Sequence, residues 1–429
     1  MKNKIIYFSS LILITSVVIW LFVAPPENIQ RNIAKKSQIF ISNQTVSPQR
    51  LFITAWRNAK KQYVDPTMNG QDWVRWKNRY LPYIETNEDV YVAVNSMLQS
   101  LNDPYSRFMD ISEYENQNIN IESYISGIGI VLENKSNKIV ISKIYNDSPA
   151  QKAELKIGDT IINIDGKNIE NEPAESVVSM IRGNRGTIIA IEVKRQGKKI
   201  KKTLTRENIK IKNLDVQVLQ NELAYIRVIS FMGKDVSKEF EKALKETKNV
   251  KGLIIDLRGD AGGLLTNAVV IGNMFINNGK IVNVIYRNGI NIPIPAQKTA
   301  IFKDKPIVIL ADRGTASASE ILTGALRDNK KAIIVGEKTY GKNSIQQIIP
   351  LPNKTGMNLT IAKYLMPNSE DIHLKGIAPD YEVAYTEQDY IKDEDPQLKK
   401  ALCILLKEIE KKEQESSILK KMKSPKTCL

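Results

Sequence analysis

"RGTASASEILTGALRD", Arg313 to Asp328, follows an unbroken apolar run, "PIVILA" (Pro306 to Ala311). Such a run reads as a fully buried strand, and Ile321, Leu322, Ala325 and Leu326 fall on one face of a helix after it. The turn between the two holds Thr315, Ser317 and Ser319. Strand, turn and helix form the unit of an α/β layer, and open α/β sheets place their sites at the carboxyl ends of strands. The helix N-terminus offers N–H groups that favour developing negative charge. A serine here is either a helix cap or a nucleophile. The choice turns on what could take its proton.

The surrounding chain repeats the unit. "LAYIRVISF", a helix over 236–246, "GLIIDLRG", a helix over 264–276, "KIVNVIYR", "KAIIVGE" and "NLTIAKYLM" alternate strand and helix, predicting a mostly parallel sheet within 208–390. Upstream, 118–207 is rich in short strands, with Asp165-Gly166 as a hairpin turn. Residues 47–117 are helical. Leu51, Ala55, Trp56, Ala59 and Tyr63 share one face, and Asn87 caps a helix that turns Val90, Val92, Val94, Met97 and Leu98 inward. Residues 391–429 form a charged, helical, peripheral tail. At the other end, Ile5 to Ala24 carries no charge over a membrane-spanning length. Bulky residues and Pro25-Pro26 follow, a poor cleavage site, so 1–24 reads as a signal anchor in preference to a cleaved signal peptide, with 25–46 as a linker. The expected architecture is multidomain, α+β and α/β.

Composition narrows the chemistry. The net charge of +15 is scattered, without aromatic interleaving, which argues for a solvated basic surface over nucleic-acid binding. Cys403 and Cys428 have no metal spacing. One histidine, His373 in "EDIHLKGIAPD", is the sole candidate for a serine–histidine pair. Lysine is the other partner serine uses, provided it is neutral. Its ordinary pKa of about 10.4 demands a desolvated setting of apolar strands and glycine turns. "AIIVGEKTYGKNSIQ" offers Lys338 and Lys342 in such a setting, and the residues alone do not choose between them. "GLIIDLRGDAGGLL" (Gly252 to Leu265) ends a strand in a glycine pair whose N–H groups could serve an oxyanion hole. It lacks the spacing of a nucleotide-binding loop.

"RGTASASEILTGALRD", "VGEKTYGKNSIQ", "IIDLRGDAGGLL" and "LKGIAPD" together resemble the carboxyl-terminal processing proteases, Ser-Lys endopeptidases with a PDZ domain, over about residues 50–385. The resemblance implies Ser317 as nucleophile, Lys342 as general base, Gln346 as the residue that orients the lysine, and the amides of Gly263 and Ala318 as oxyanion donors. Asp328 matches an acid of the family pattern, and ending a helix is its plainer reading. The module at 118–207 would be the PDZ domain, with Gly127, Ile128 and Gly129 as a loop for a free chain end and the next strand pairing with substrate. No cofactor, metal or nucleic acid is implied; the partners are protein or peptide tails, and the membrane through the anchor. Two departures stand out: Gly259-Asp260-Ala261 where the family usually has Asn-Asn-Pro or Asn-Asn-Gly, and Asn343 where it usually has glycine after the lysine. They leave a catalytically inactive PDZ tail-binding scaffold as one alternative, with a broad tail-directed quality-control protease as the other. "AWRNAKKQYVDPTMNGQDWVRWKNRYL" is most like the branch that trims the photosystem II reaction-centre precursor, which implies an exported, lumenal or periplasmic catalytic region.

Overall fold

Two strands, Gly252–Asp256 and Ile307–Ala311, are buried at every position, which requires a sheet covered on both faces. The structure, a computed structural model, describes residues 41–423 apart from 123, 136, 137, 171, 173 and 211. The expected anchor lies outside these, and among the described residues no helix is long and apolar enough to cross a membrane. The chain divides into two compact units, Met1–Tyr114 with Gln346–Thr360, and Glu115–Ile345 with Ile361–Leu429.

The first unit holds α1 (Pro48–Gln62), α2 (Trp73–Tyr80), α3 (Asn87–Gln99) and β1 (Arg107–Met109). Leu51, Ala55, Trp56 and Ala59 are buried on α1, as the spacing predicted, and Phe52 is buried with them. The ring N–H groups of Trp56 and Trp73 each donate to the other's carbonyl, at 2.7 and 3.2 Å. The cap of α3 is Thr86, not Asn87. Thr86 and Asp89 form a reciprocal capping box, which leaves Asn87 as the first helical residue. Val92, expected inside, is 58% exposed, because it lies off the face of Val90, Val94 and Met97. β1 pairs antiparallel with residues 356–358.

The β-rich module opens later than residue 118, since α4 (Ile111–Glu122) continues through that point. It comprises β2 (Tyr124–Gly127), β3 (Ile130–Lys135), β4 (Lys138–Ile144), α5 (Pro149–Lys152), β5 (Thr160–Ile164), β6 (Lys167–Asn168), α6 (Ala174–Ile181), β7 (Ile188–Arg195), β8 (Lys198–Thr205) and β9 (Glu207–Lys210). One antiparallel sheet runs β3-β4-β5-β7-β8, so β3 is an outer strand; β2 pairs with β9. The module closes over its own core, with Ile128, Ile141, Val177, Ile189, Ile191 and Val193 fully buried.

The rest runs β10 (Leu214–Leu219), β11 (Leu223–Val228), α7 (Val236–Glu246), β12 (Gly252–Asp256), α8 (Leu265–Asn273), β13 (Lys280–Tyr286), β14 (Asn291–Pro295), β15 (Ile307–Ala311), α9 (Ala318–Asp328), β16 (Ala332–Gly336), β17 (Ser344–Leu351), β18 (Thr355–Leu365), β19 (Tyr381–Glu382), α10 (Glu387–Ile391) and α11 (Pro396–Lys423). The central sheet has the order β10-β11-β12-β15-β16-β19, parallel from β11 onward. Alternate residues face opposite sides. Leu223, Tyr225, Ile254, Val308, Leu310 and Val335 meet Ala401, Ile404, Leu405 and Ile409 of α11. The tail is therefore not peripheral: its apolar stripe completes the core, and only its outer face carries the charge that made it look solvated. α8 packs against both α7 and α9.

Candidate active site

The turn between β15 and α9 is pinned before any side-chain chemistry begins. Thr315 Oγ1 donates to the Leu257 carbonyl at 2.9 Å, the Ala316 N–H to the Asp260 carbonyl at 3.0 Å, and the Tyr340 N–H to the Thr315 carbonyl at 3.0 Å. Ser317 then takes φ 56° and ψ −115°. A residue with a Cβ is rarely held there, and the strain, of order 1–3 kcal/mol, must be offset by its surroundings. A sharp strand-to-helix turn of this kind lifts a serine out of the sheet.

Glu320, one turn on, supplies much of the offset. Its carboxylate is wholly buried. One oxygen accepts the Ser317 and Lys342 N–H groups, each at 2.9 Å. The other accepts Thr339 Oγ1 and the Gly341 N–H, each at 2.6 Å. Burial pushes its pKa up, and these four donors pull it back. On the carbonyl side, the buried Tyr364 hydroxyl donates toward the Ser317 carbonyl at 3.2 Å and toward that of Lys342. The backbones of the two residues are thus clamped together by Glu320 through their amides and by Tyr364 through their carbonyls.

The glycine turn after β12 meets the same serine. A Cβ on Gly262 (φ 92°) would lie 2.9 Å from Ser317 Cβ and 2.8 Å from the Ala318 nitrogen, and one on Gly263 would strike the Met232 nitrogen at 2.2 Å. Only glycines allow this approach. The bridge between Phe231 and Gly263 uses the Gly262 carbonyl and the Leu264 N–H, so among the described residues it leaves the Gly263 N–H unused. Ala318 is the first residue of α9, where an N–H has no intrahelical partner.

Ser317, Lys342, Gly263 and Ala318 therefore lie around one turn. Lys342 is half-buried, whereas Lys338 and His373 are exposed. Gln346 belongs to the first unit, where its amide donates to Thr360 Oγ1 at 3.1 Å. Asp328 ends α9, accepting from Arg327 at 2.8 Å and from the Asn368 N–H at 3.1 Å. In the β-rich module the Ile128 side chain is fully buried, and the Ile128 and Gly129 carbonyls are fixed by the N–H groups of Ala150 and Tyr145. Gly127, Gly129, Leu132, Val178, Ile181 and Ile209 line an apolar groove beside the outer strand β3.

Comparison with known proteins agrees with this layout. Peptidase family S41 matches residues 222–383, a PDZ domain 126–205, and the Tricorn protease C1 domain 46–95. The carboxyl-terminal-processing protease of a Synechocystis strain is 34% identical over 343 residues, covering 77% of this chain and 80% of its own. The chain belongs to the carboxyl-terminal processing proteases of family S41. It is also 36% identical to the carboxy-terminal processing protease CtpA of Bacillus subtilis, over 69% of this chain and 65% of that protein. A solved photosystem II D1 C-terminal processing protease is similar at 29% identity and a TM-score of 0.54, covering 79% of this chain and 94% of its own. The protein is accordingly a serine-type peptidase with a PDZ domain. Sequence reading did not reach the clamp residues. Glu320 sits at the third helical position, where a capping glutamate is ordinary, and Tyr364 reads as one more core aromatic in a strand.

Proposed function

We propose that the protein is a Ser-Lys endopeptidase that cuts near the free C-terminus of exported protein substrates. The observation that carries this is the Glu320 carboxylate, which holds the backbone amides of Ser317 and Lys342 on one oxygen. Ser317 Oγ attacks the scissile carbonyl, and the neutral Lys342 amine takes the Oγ proton and returns it to the leaving amine. The Gly263 and Ala318 N–H groups hold the oxyanion, water hydrolyses the acyl-enzyme, and Gln346 orients the amine. The outer edge of β3 pairs with the substrate tail, whose terminal carboxylate meets the Gly127–Gly129 loop. The likeness at residues 55–81 supports a photosystem II reaction-centre precursor as substrate, processed on the lumenal or periplasmic side by a membrane-anchored enzyme. A broader tail-directed protease is the second reading, favoured by the 36% identity to a Bacillus relative whose name states no photosystem substrate.

Single-turnover cleavage of a tagged precursor and of unfolded casein tests both. Ser317→Ala and Lys342→Arg are expected to lose activity by at least a thousandfold, Lys338→Ala and His373→Ala to stay within a few-fold of the parent. Substantial turnover in Lys342→Arg removes lysine from the mechanism. Equal cleavage of casein and precursor favours the broad reading.

A further inference from the structure

Asp260 stands where the family has asparagine, at the head of the glycine turn, and is 1% exposed. Its Oδ1 accepts the Gly262 N–H at 2.9 Å, and its carbonyl accepts the Ala316 N–H at 3.0 Å. One residue thus braces both the glycine turn and the serine turn. Its other oxygen, Oδ2, is buried without a hydrogen-bond partner, and so is Ser319 Oγ in the first turn of α9. The Ser319 hydroxyl and the Phe231 N–H both lie close enough to favour the carboxylate form, yet burial outweighs them.

We propose that Asp260 is a positioning residue for the oxyanion side of the site and that its neutral form supports cleavage. This rests on the Ser317–Lys342 reading. Among the described residues no charged group offsets the burial of Asp260; its ionised form is favoured by the Gly262 and Phe231 N–H groups and the Ser319 hydroxyl. Asp312, on the loop after β15, has one oxygen filled by the Gly259, Gly314 and Thr315 amides. Glu320 on α9 is filled by its four donors. Arg258, two residues back, is spent on Asp256 and Asp395. On the loop after β11, Lys234 pairs with Glu122. Lys342, on the loop after β16, is half-buried. Burial accordingly pushes the Asp260 pKa up to about 7. A carboxylate there would set a negative charge three residues from Gly263, opposing the oxyanion and favouring the protonated, inactive lysine. The neutral acid still accepts from Gly262 and can donate to Ser319 Oγ, satisfying both stranded atoms.

The test is kcat/KM for a C-terminal peptide from pH 6 to 8.5 in the full chain and in Asp260→Asn. Asparagine keeps the acceptor for Gly262 and a donor for Ser319, so it imitates the neutral acid at every pH. The ratio of variant to parent is expected to rise about tenfold across that range, carried by kcat. A ratio independent of pH overturns the proposal. If Asp260→Asn does not fold, Ser319→Ala carries the test. Loss of its hydroxyl should move the alkaline fall of activity to higher pH, and an unmoved midpoint overturns the proposal. Turnover in Lys342→Arg would overturn the Ser-Lys reading instead, so the two failures are distinguishable.

Discussion

At the scale of single residues, two buried carboxyl groups flank the serine and do different work. Glu320 is satisfied by four donors, two of them on the candidate nucleophile and base. In Glu320→Gln the amide nitrogen must replace one accepting oxygen and confront N–H groups with its own. Each lost charge-assisted bond is worth about 1.5–3 kcal/mol. We expect kcat to fall at least a hundredfold with KM within a few-fold, because the damage is to alignment and not to the tail groove; steady-state kinetics on a C-terminal peptide checks this. Asp260 is under-satisfied, and besides its proposed effect on cleavage it bears on stability. Burial raises its pKa from 3.8 to about 7. Between those values the folded protein holds a proton that the unfolded chain has released, so stability is lost as pH rises through about 7. Relative to Asp260→Asn, the parent should lose roughly 2–3 kcal/mol of stability between pH 5 and pH 8. Denaturant melts at the two pH values measure it. An equal difference at both would mean that Asp260 does not titrate in this interval.

At the scale of elements, α11 shows what periodicity misses. Its residues 396–423 carry so much charge that the segment reads as a solvated tail, yet four of its apolar residues seal one face of the central sheet. The helix is docked at its start by Asp395, which accepts the Leu398 N–H at 2.8 Å and both terminal nitrogens of Arg258 near 2.9 Å. Burial works against the Asp395 charge, but the Arg258 bonds outweigh it and hold its pKa below the usual carboxylate value. Leu405 is fully buried and packs on Gly252. Leu405→Ala should therefore cost about 2–5 kcal/mol, read as a lower denaturation midpoint, although the residue lies outside the matched peptidase region. An effect under 0.5 kcal/mol would return the tail to the periphery. Elements with a clean local signal were legible: the strands "GLIID" and "IVILA" are apolar throughout, and the helix over 236–246 keeps one apolar face. The turn carrying Ser317 was legible because strand, hydroxyl and helix follow one another in sequence. What was not legible depends on distant partners. Glu320 meets residues 339–342, Tyr364 meets 317 and 342, and α11 meets four strands, none of which leaves a periodic mark.

At the scale of the molecule, the proposed function gives capture of a chain end and cleavage to different modules, and each has its own core. All buried residues of the PDZ core lie between Ile128 and Leu204, so its apolar burial does not depend on the peptidase sheet. A segment of about that size can fold alone, although marginally. The outer strand β3 and helix α6 leave between them a groove whose apolar walls are Leu132, Val178 and Ile181. Such a groove would suit an apolar terminal side chain, and under the proposed function the backbone at Gly127–Gly129 receives the carboxylate. The expected behaviour of the full chain with Ser317→Ala follows from this division. It should bind a fluorescent peptide with an apolar free C-terminus as tightly as the parent does, and C-terminal amidation of that peptide should weaken binding at least tenfold. Val178→Asp should weaken binding similarly while leaving the single-turnover rate at saturating peptide within a few-fold, since its effect is on capture and not on Ser317. Anisotropy titrations with the acid and amide forms read the first two effects, and rapid-quench cleavage reads the third. Equal affinity for acid and amide would remove the carboxylate from recognition and leave the groove to read the side chain alone.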